Sequence, residues 1–103
     1  MEGSKAYPQP AATVLDAIND IVELQNGRLT FSDTPHGMIN FVIRMYSNEW
    51  ELRFEVTETG ENRCGVKIGI EEETGGGKDQ IIREFALLDS MILSKAEVDF
   101  VPA

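Results

Sequence analysis

Two segments near the middle of the chain alternate strictly between apolar and polar residues. In EWELRFEVT (residues 49–57) and RCGVKIGIE (residues 63–71), every second residue is apolar, from Trp50 to Val56 and from Cys64 to Ile70. Side chains of a β-strand point alternately to opposite faces of the sheet. The pattern therefore predicts two strands of an antiparallel sheet that has one buried face and one solvated face.

Two further runs extend this sheet. Leu29–Ser32 and Ile39–Met45 show the same alternation, and the connections between the four runs are short and rich in Gly, Pro, Asn and Ser. Consecutive strands joined by such turns form an antiparallel meander. We expect Ser4–Pro8 to add a short edge strand that partly covers the first run, Arg28–Thr34.

Two other segments carry apolar residues at helical spacing. The first helix is predicted over Pro10–Gln25, and the second over Asp79–Lys95. Residues expected to face inward from the second helix are Ile81, Phe85, Leu88 and Ile92. The predicted fold class is therefore α+β: a four-stranded antiparallel meander, with a possible fifth N-terminal edge strand and two helices on one face, in the order (β)αββββα.

Length and charge indicate one acidic domain. A chain of 103 residues forms a single core, with residues 1–9 as an N-terminal arm or edge strand and residues 96–103 as an apolar C-terminal tail. The net charge of −9 disfavours nucleic acid and anionic membrane surfaces as partners. No apolar run approaches the roughly 20 residues that span a bilayer, and the first ten residues lack the apolar core of a signal peptide. We therefore expect a cytoplasmic protein.

The glycine-rich segment IEEETGGGKDQII (residues 70–82) resembles a phosphate-binding loop before a helix. A Walker-type loop requires a glycine five residues before the Gly of Gly-Lys and a Ser or Thr after the Lys. Glu72 and Asp79 occupy these two positions, and residues 71–73 are all glutamates, which would repel a polyphosphate. We interpret the segment as a hinge between sheet and helix, without a nucleotide cofactor.

The sequence contains no recognisable catalytic or metal-binding set. His36 is the single histidine, and Pro35 and Gly37 on either side place it in a turn. Cys64 lies on the apolar face of its predicted strand, where a nucleophilic thiol would be poorly exposed. We expect no catalytic residue, no cofactor and no metal site, and therefore no enzymatic activity.

Positive charge collects on the solvated face of the predicted sheet. The residues expected there are Val42, Arg44, Tyr46, Arg53, Arg63 and Lys67. Their charges could form cross-strand ion pairs with Glu51 and Glu55, or they could bind an acidic peptide or a second subunit. We predict a non-enzymatic binding or protein-interaction domain whose partner is another protein or a second copy in a homodimer.

The alternative is a domain that binds a small apolar ligand. The ligand would lie in a groove between the second helix and the sheet. The residues expected to line this groove are Met45, Trp50, Phe54, Phe85 and Leu88.

The order of the elements resembles two known folds. The segments AYPQPAATVLDAI (Ala6–Ile18) and TGGGKDQII (residues 74–82) are similar to small bacterial domains of helix-grip architecture, as in the START-like ligand-binding superfamily. That resemblance implies an apolar ligand between the sheet and the last helix. The order also resembles one repeat of the TATA-binding-protein-like fold, which reads DNA with phenylalanine wedges on its exposed sheet face. Phe31, Phe41 and Phe54 fall in the buried register here, so we do not expect DNA binding.

Overall fold

Five antiparallel strands and two helices form in the part of the chain described by the computed structural model, residues 1–45, 48–71 and 75–99, with side chains up to residue 95. The strands are β1 (Glu2–Tyr7), β2 (Arg28–Asp33), β3 (Met38–Met45), β4 (Asn48–Gly60) and β5 (Arg63–Ile70). They lie in the order β1-β5-β4-β3-β2. The helices are α1 (Ala11–Leu24) and α2 (Gly77–Asp99). The predicted α+β class and element order are confirmed, including the N-terminal strand.

β1 lies at the opposite edge of the sheet from the position that we expected. It pairs with β5, from Glu2 beside Gly69 to Tyr7 beside Cys64, and does not cover the run that became β2. The reason is the helix between the two strands. α1 has 14 residues, so it carries the chain about 21 Å across one face of the sheet and delivers β2 to the far edge.

Both helices pack on the same face of the sheet, which we call the inner face. α1 contacts α2 and β4, while α2 contacts β5 and β1. The residues that α1 buries are Val14, Ala17, Ile18, Ile21 and Val22. α2 begins two residues before and ends four residues after the predicted bounds of Asp79 and Lys95. Phe100 and the residues beyond it lie outside the described part of the chain.

The core lies between the helices and the inner face. Cross-strand neighbours on this face form rows such as Ile39, Phe54 and Ile68, and all three of these side chains are buried. The rings of Phe41 and Phe54 approach to 5.4 Å between centroids. Strict alternation in β4 and β5 therefore corresponds to burial, as the sequence predicts.

α2 approaches β1 closely at Gly3. A Cβ atom at this position would lie 2.9 Å from Cγ2 of Ile81 and 3.3 Å from Cε2 of Phe85. The absence of a side chain at Gly3 therefore allows these two residues of α2 to pack directly on the backbone of β1.

β2 departs from the predicted burial. Leu29 pairs with Phe41 and Phe31 pairs with Asn40, so Thr30 is an extra residue in a β-bulge. The bulge puts Phe31 on the outer face with Asn40, where its side chain is 47% exposed. Our assignment of Phe31 to the buried register is therefore wrong, whereas Phe41 and Phe54 are buried as expected.

The turn between β2 and β3 is a 3-10 helix, Thr34–His36, that ends at Gly37. Gly37 has a φ of +72° and packs against β4, since its carbonyl accepts a 2.7 Å hydrogen bond from the Val56 N–H.

The predicted glycine hinge ends in Gly75 and Gly76, both with positive φ, immediately before α2. Residues 72–74 of that segment lie outside the described residues. Of the helices in the described part of the chain, none has both the length and the apolar character to cross a membrane.

Candidate interaction surface

The outer face of the sheet carries the basic residues that the sequence predicts there. Val42, Arg44, Arg53 and Lys67 follow the outward register of β3, β4 and β5, and Arg63 lies beside Gly60 where β5 begins. Val42 is half-buried and the four basic residues are exposed. Tyr46, the remaining member of the predicted face, lies outside the described residues.

Three of these basic side chains have carboxylate neighbours. Nitrogen–oxygen distances are 3.2 Å for Arg44 and Glu49, 3.7 Å for Arg53 and Glu71, and 4.0 Å for Lys67 and Glu55. Exposed pairs of this kind contribute little to stability. They do reduce the net positive potential of the outer face, which weakens its case as a site for an acidic peptide.

The residues of the predicted apolar groove belong to the packed core. Phe54 and Leu88 are fully buried, while Met45, Trp50 and Phe85 are partly buried and pack against the same cluster. A surface cleft of about 490 Å³ lies away from these residues. It is bounded by the start of α1, the β2–β3 turn and β4, with Leu15 and Val56 among its apolar residues.

Two smaller clefts open on the outer face. One of about 340 Å³ crosses β1, β5 and β4 between Lys5 and Thr57. The other, about 110 Å³, surrounds Arg53. Phe54 is among the residues around the smaller of these clefts, and neither cleft contains Met45, Trp50, Phe85 or Leu88.

The β2 edge is the most apolar exposed part of the sheet. We use this name for Arg28–Asp33 together with two flanking residues, Leu24 and Met38. Leu24 is 57%, Leu29 50%, Phe31 47% and Met38 37% exposed. Leu29 faces inward beside Phe41, whereas Phe31 and Met38 face outward. No other strand of the described chain pairs with the free side of β2, so its backbone donors and acceptors are open to a partner.

Sequence reasoning did not identify the β2 edge as an exposed apolar surface. Alternation at Leu29 and Phe31 indicates a half-buried strand, but it does not tell whether a helix covers that strand. One available signal was the Asn26-Gly27 helix stop directly before β2, which ends α1 at the edge and leaves little of it to cover the strand.

A buried carboxyl group joins the end of α1 to α2. Glu84 is 0% exposed, and its Oε1 and Oε2 accept hydrogen bonds from Nε2 of Gln25 at 2.7 Å and Nε2 of Gln80 at 3.0 Å. Burial raises the pKa of Glu84, an effect that the two amide hydrogen bonds and the charge of Arg83 partly offset. The sequence gives no sign of this cluster, because an acidic residue in an amphipathic helix is ordinarily exposed.

A second polar cluster ties β1 to α2. The Tyr7 hydroxyl donates a 2.7 Å hydrogen bond to Oδ1 of Asp89, and Lys5 Nζ lies 2.5 Å from Oδ2. Burial, followed by the contact with Asp89, raises the pKa of Tyr7, so its hydroxyl stays a donor.

Burial likewise raises the pKa of the Cys64 thiol, which keeps it protonated and unreactive. Among the described residues, no group of three His, Cys, Asp or Glu side chains is arranged to hold a metal ion.

Replacing Glu84 with glutamine is expected to improve stability relative to wild type more at pH 7 than at about pH 4, because glutamine cannot ionise and ionisation of a buried carboxyl group costs free energy. The pKa of Glu84 is raised in the folded state. Its contribution to wild-type stability is therefore greatest below the unfolded-state pKa and is lost as pH rises through the folded-state pKa. The advantage of the variant should shrink as pH falls from about 7 to about 4, measured by urea unfolding. Glu61→Gln in the exposed β4–β5 turn is the matched control. A Glu84→Gln variant that is equally destabilised at every pH would show that hydrogen-bond geometry outweighs the charge.

No protein-family model and no curated protein matches the chain. Solved structures do match its fold. Ara h 8.0201 aligns at a TM-score of 0.59 and 10% identity, over 91% of this chain and 97% of that one. The di-domain ARO/CYC StfQ from the steffimycin biosynthetic pathway aligns at 0.55 and 11% identity, over 94% of this chain and 44% of that one. TTHA0849 from Thermus thermophilus aligns at 0.50 and 9% identity, over 92% and 97%.

These similarities establish the fold. They support the helix-grip fold that the sequence predicts. The TATA-binding-protein-like alternative gains no support from them. At about one identical residue in ten, the likeness extends to the fold alone.

Proposed function

We propose that this chain is a non-catalytic protein-interaction domain that binds its partners along the β2 edge. The observation that carries the proposal is the exposure of Leu24, Leu29, Phe31 and Met38 at an edge strand whose outer side pairs with no strand of the described residues. Contiguous exposed apolar residues on a small protein commonly mark an interaction site.

The chemistry of an open strand suits an extended partner. Main-chain N–H and C=O groups of β2 can add a further strand to the sheet, and side chains on the two faces can select which strand is added. At β2 each face offers one large apolar side chain, Leu29 on the inner side and Phe31 on the outer side.

The strand at the opposite edge, β1, differs from β2 in its exposed side chains. The exposed residues of β1 are Glu2, Ser4, Lys5 and Ala6, which are small or charged, and Lys5 is held by Asp89. β1 therefore offers a partner no large exposed apolar side chain, whereas β2 offers Leu29 and Phe31. The contrast supports β2, rather than β1, as the docking edge.

Binding of a small apolar ligand is the second candidate function. Two observations favour it: the helix-grip fold and the cleft of about 490 Å³, a volume within the range of small-molecule sites. Leu15 and Val56 would contact an apolar ligand there, and His36 and Glu58 would lie at its polar side.

Nuclear magnetic resonance can separate the two candidates. Extended peptides selected from a random library against the immobilised domain should perturb the amide signals of residues 28–33 when they bind. Phe31→Lys should weaken the binding of these peptides at least about tenfold, because it places a charge on the apolar docking strand. Ile82→Lys is the matched control, since Ile82 is 57% exposed on α2.

The peptide and small-molecule results distinguish the two candidate functions. Peptide binding that Phe31→Lys leaves unchanged would contradict a docking role for the β2 edge. Signal changes confined to the cleft at Leu15, Gly37 and Val56, caused by small apolar compounds, would favour the second candidate.

A further inference from the structure

We propose that the partner of the β2 edge is a second copy of this chain, paired antiparallel about a two-fold axis so that Arg28 of each copy contacts Asp33 of the other. This inference rests on the proposed function, because it names the partner of the same edge. It follows from the sequence of β2, Arg-Leu-Thr-Phe-Ser-Asp, and from the bulge at Thr30.

The bulge places the two charged ends of β2 on the same face. Arg28 pairs with Val42 and Asp33 pairs with Met38, and both of these β3 residues point to the outer face. In a regular strand, residues five positions apart would face opposite sides. The extra residue at Thr30 removes this mismatch.

When two copies pair edge to edge about a two-fold axis perpendicular to the sheet, their outer faces lie on the same side of the joined sheet. Residues that pair across it must therefore lie on the same face of the single chain. Arg28 and Asp33 satisfy this condition on the outer face, and Leu29 and Ser32 satisfy it on the inner face. A pairing of Arg28 with Asp33 and of Leu29 with Ser32 is thus geometrically allowed.

Neighbouring registers do not satisfy the condition. A shift by one residue in one direction would set Arg28 against Ser32, and a shift in the other direction would set Leu29 against Asp33. Each of these combinations joins an outward residue to an inward residue. Of these three registers, only the pairing of Arg28 with Asp33 joins residues of the same face and also sets opposite charges beside one another.

Apolar contacts accompany the charge pairs in this register. Thr30 of one copy lies beside Phe31 of the other, which brings the two Phe31 side chains close to the axis on the outer face. Phe31 is 47% exposed in the single chain, so the pairing would cover apolar surface that is now solvated. Nδ1 of His36 lies 2.8 Å from Oδ2 of Asp33, so the Arg28 contact is assigned to Oδ1.

The expected dimer is weak. One six-residue strand per copy gives an interface in the small, transient class, and the bulge reduces the number of ladder hydrogen bonds. The charge of −9 on each chain also opposes association, although salt at about 0.15 M screens charges beyond roughly 8 Å. We expect a dissociation constant on the order of 10–100 μM.

Sedimentation equilibrium of the full chain at 0.15 M salt, from micromolar to near-millimolar concentration, tests the pairing through charge exchange. Arg28→Asp or Asp33→Arg alone should raise the dimer dissociation constant at least tenfold, because each puts like charges opposite one another. The double variant Arg28→Asp/Asp33→Arg should return the constant to within about threefold of wild type. Arg63→Asp and Glu61→Arg are controls with the same changes in net charge at exposed positions away from β2. Circular dichroism establishes that each variant is folded.

Recovery in the double variant, with unchanged controls, would support the two-fold pairing. A wild-type chain that stays monomeric throughout would overturn it, as would a dimer that the double variant fails to restore. In either case, peptides that still bind residues 28–33 would leave the proposed docking function intact. Loss of both the dimer and the peptide binding would contradict the docking function as well.

Discussion

Replacing Gly37 with alanine is expected to lower the free energy of unfolding by at least about 3 kcal/mol. A left-handed φ of +72° costs a residue with a side chain roughly 1–2 kcal/mol by itself. The larger obstacle is the neighbouring strand, because an added Cβ would lie 2.1 Å from the carbonyl oxygen of Val56. The β2–β3 turn would have to move away from β4, which would break the hydrogen bond from the Val56 N–H to the Gly37 carbonyl.

Gly60→Ala provides the control for this substitution. Apart from Gly60 and its two chain neighbours, no described residue has an atom within 4 Å of a Cβ built at Gly60, so the change should alter stability by less than about 0.5 kcal/mol. Urea unfolding of both variants, followed by circular dichroism, measures the difference. Equal stability of the Gly37→Ala and Gly60→Ala variants would mean that the turn does not pack on β4 as described.

Truncation of Phe54 to alanine is expected to cost about 3–5 kcal/mol. Phe54 is 1% exposed, lies in the central strand β4 and contacts the ring of Phe41. Its removal forfeits the transfer free energy of the ring and leaves a cavity that the strands on either side cannot readily close. For a domain of this size, the loss is a large fraction of the total stability, so the unfolding midpoint in urea should fall markedly.

Phe31→Ala is the matched control for Phe54→Ala. Both residues are phenylalanines in strands of the same sheet, but Phe31 is 47% exposed. Its truncation should change stability by less than about 1 kcal/mol at a concentration where the chain is monomeric. A loss below about 1 kcal/mol for Phe54→Ala would instead show that the buried face of β4 is assigned incorrectly.

The fold was predictable where the sequence has a strong period. Alternation in residues 49–57 and 63–71 identified β4 and β5 and their buried faces, since a period of two is incompatible with a helix. The stripe through Ile81, Leu88 and Ile92 similarly identified the buried side of α2, where all three are buried. Such patterns depend on local geometry, which each segment carries in its own sequence.

The edges of the sheet were not predictable from the same signals. Which strand pairs with β1 depends on where α1 takes the chain, and the burial of β2 depends on which helix covers it. The bulge at Thr30 moves Phe31 to the opposite face of the sheet, and β2 contains no glycine or proline that would predict a bulge. Glu84 was missed for a similar reason. Its burial results from the packing of α1 against α2, which the sequence of neither helix predicts by itself.

The candidate surface was predicted only in part. Val42, Arg44, Arg53 and Lys67 lie on the outer face as expected, but the neighbouring carboxylates leave little unbalanced positive charge. The apolar groove between α2 and the sheet remains a prediction, with two of its five residues fully buried in the core. Patterns of single strands could not identify the β2 edge, because it combines residues from a helix end, an edge strand and the next strand.

The pairing of β1 with β5 has a consequence for the order of assembly. Glu2–Tyr7 pairs with Cys64–Gly69, so about sixty residues must be synthesised before the first strand meets its neighbour. The hairpins β2–β3, β3–β4 and β4–β5 join segments that are adjacent in the chain and close much shorter loops. During synthesis, the first strand therefore emerges early and pairs late. The meander can form before it, and the N-terminal segment completes the sheet by a slow long-range contact.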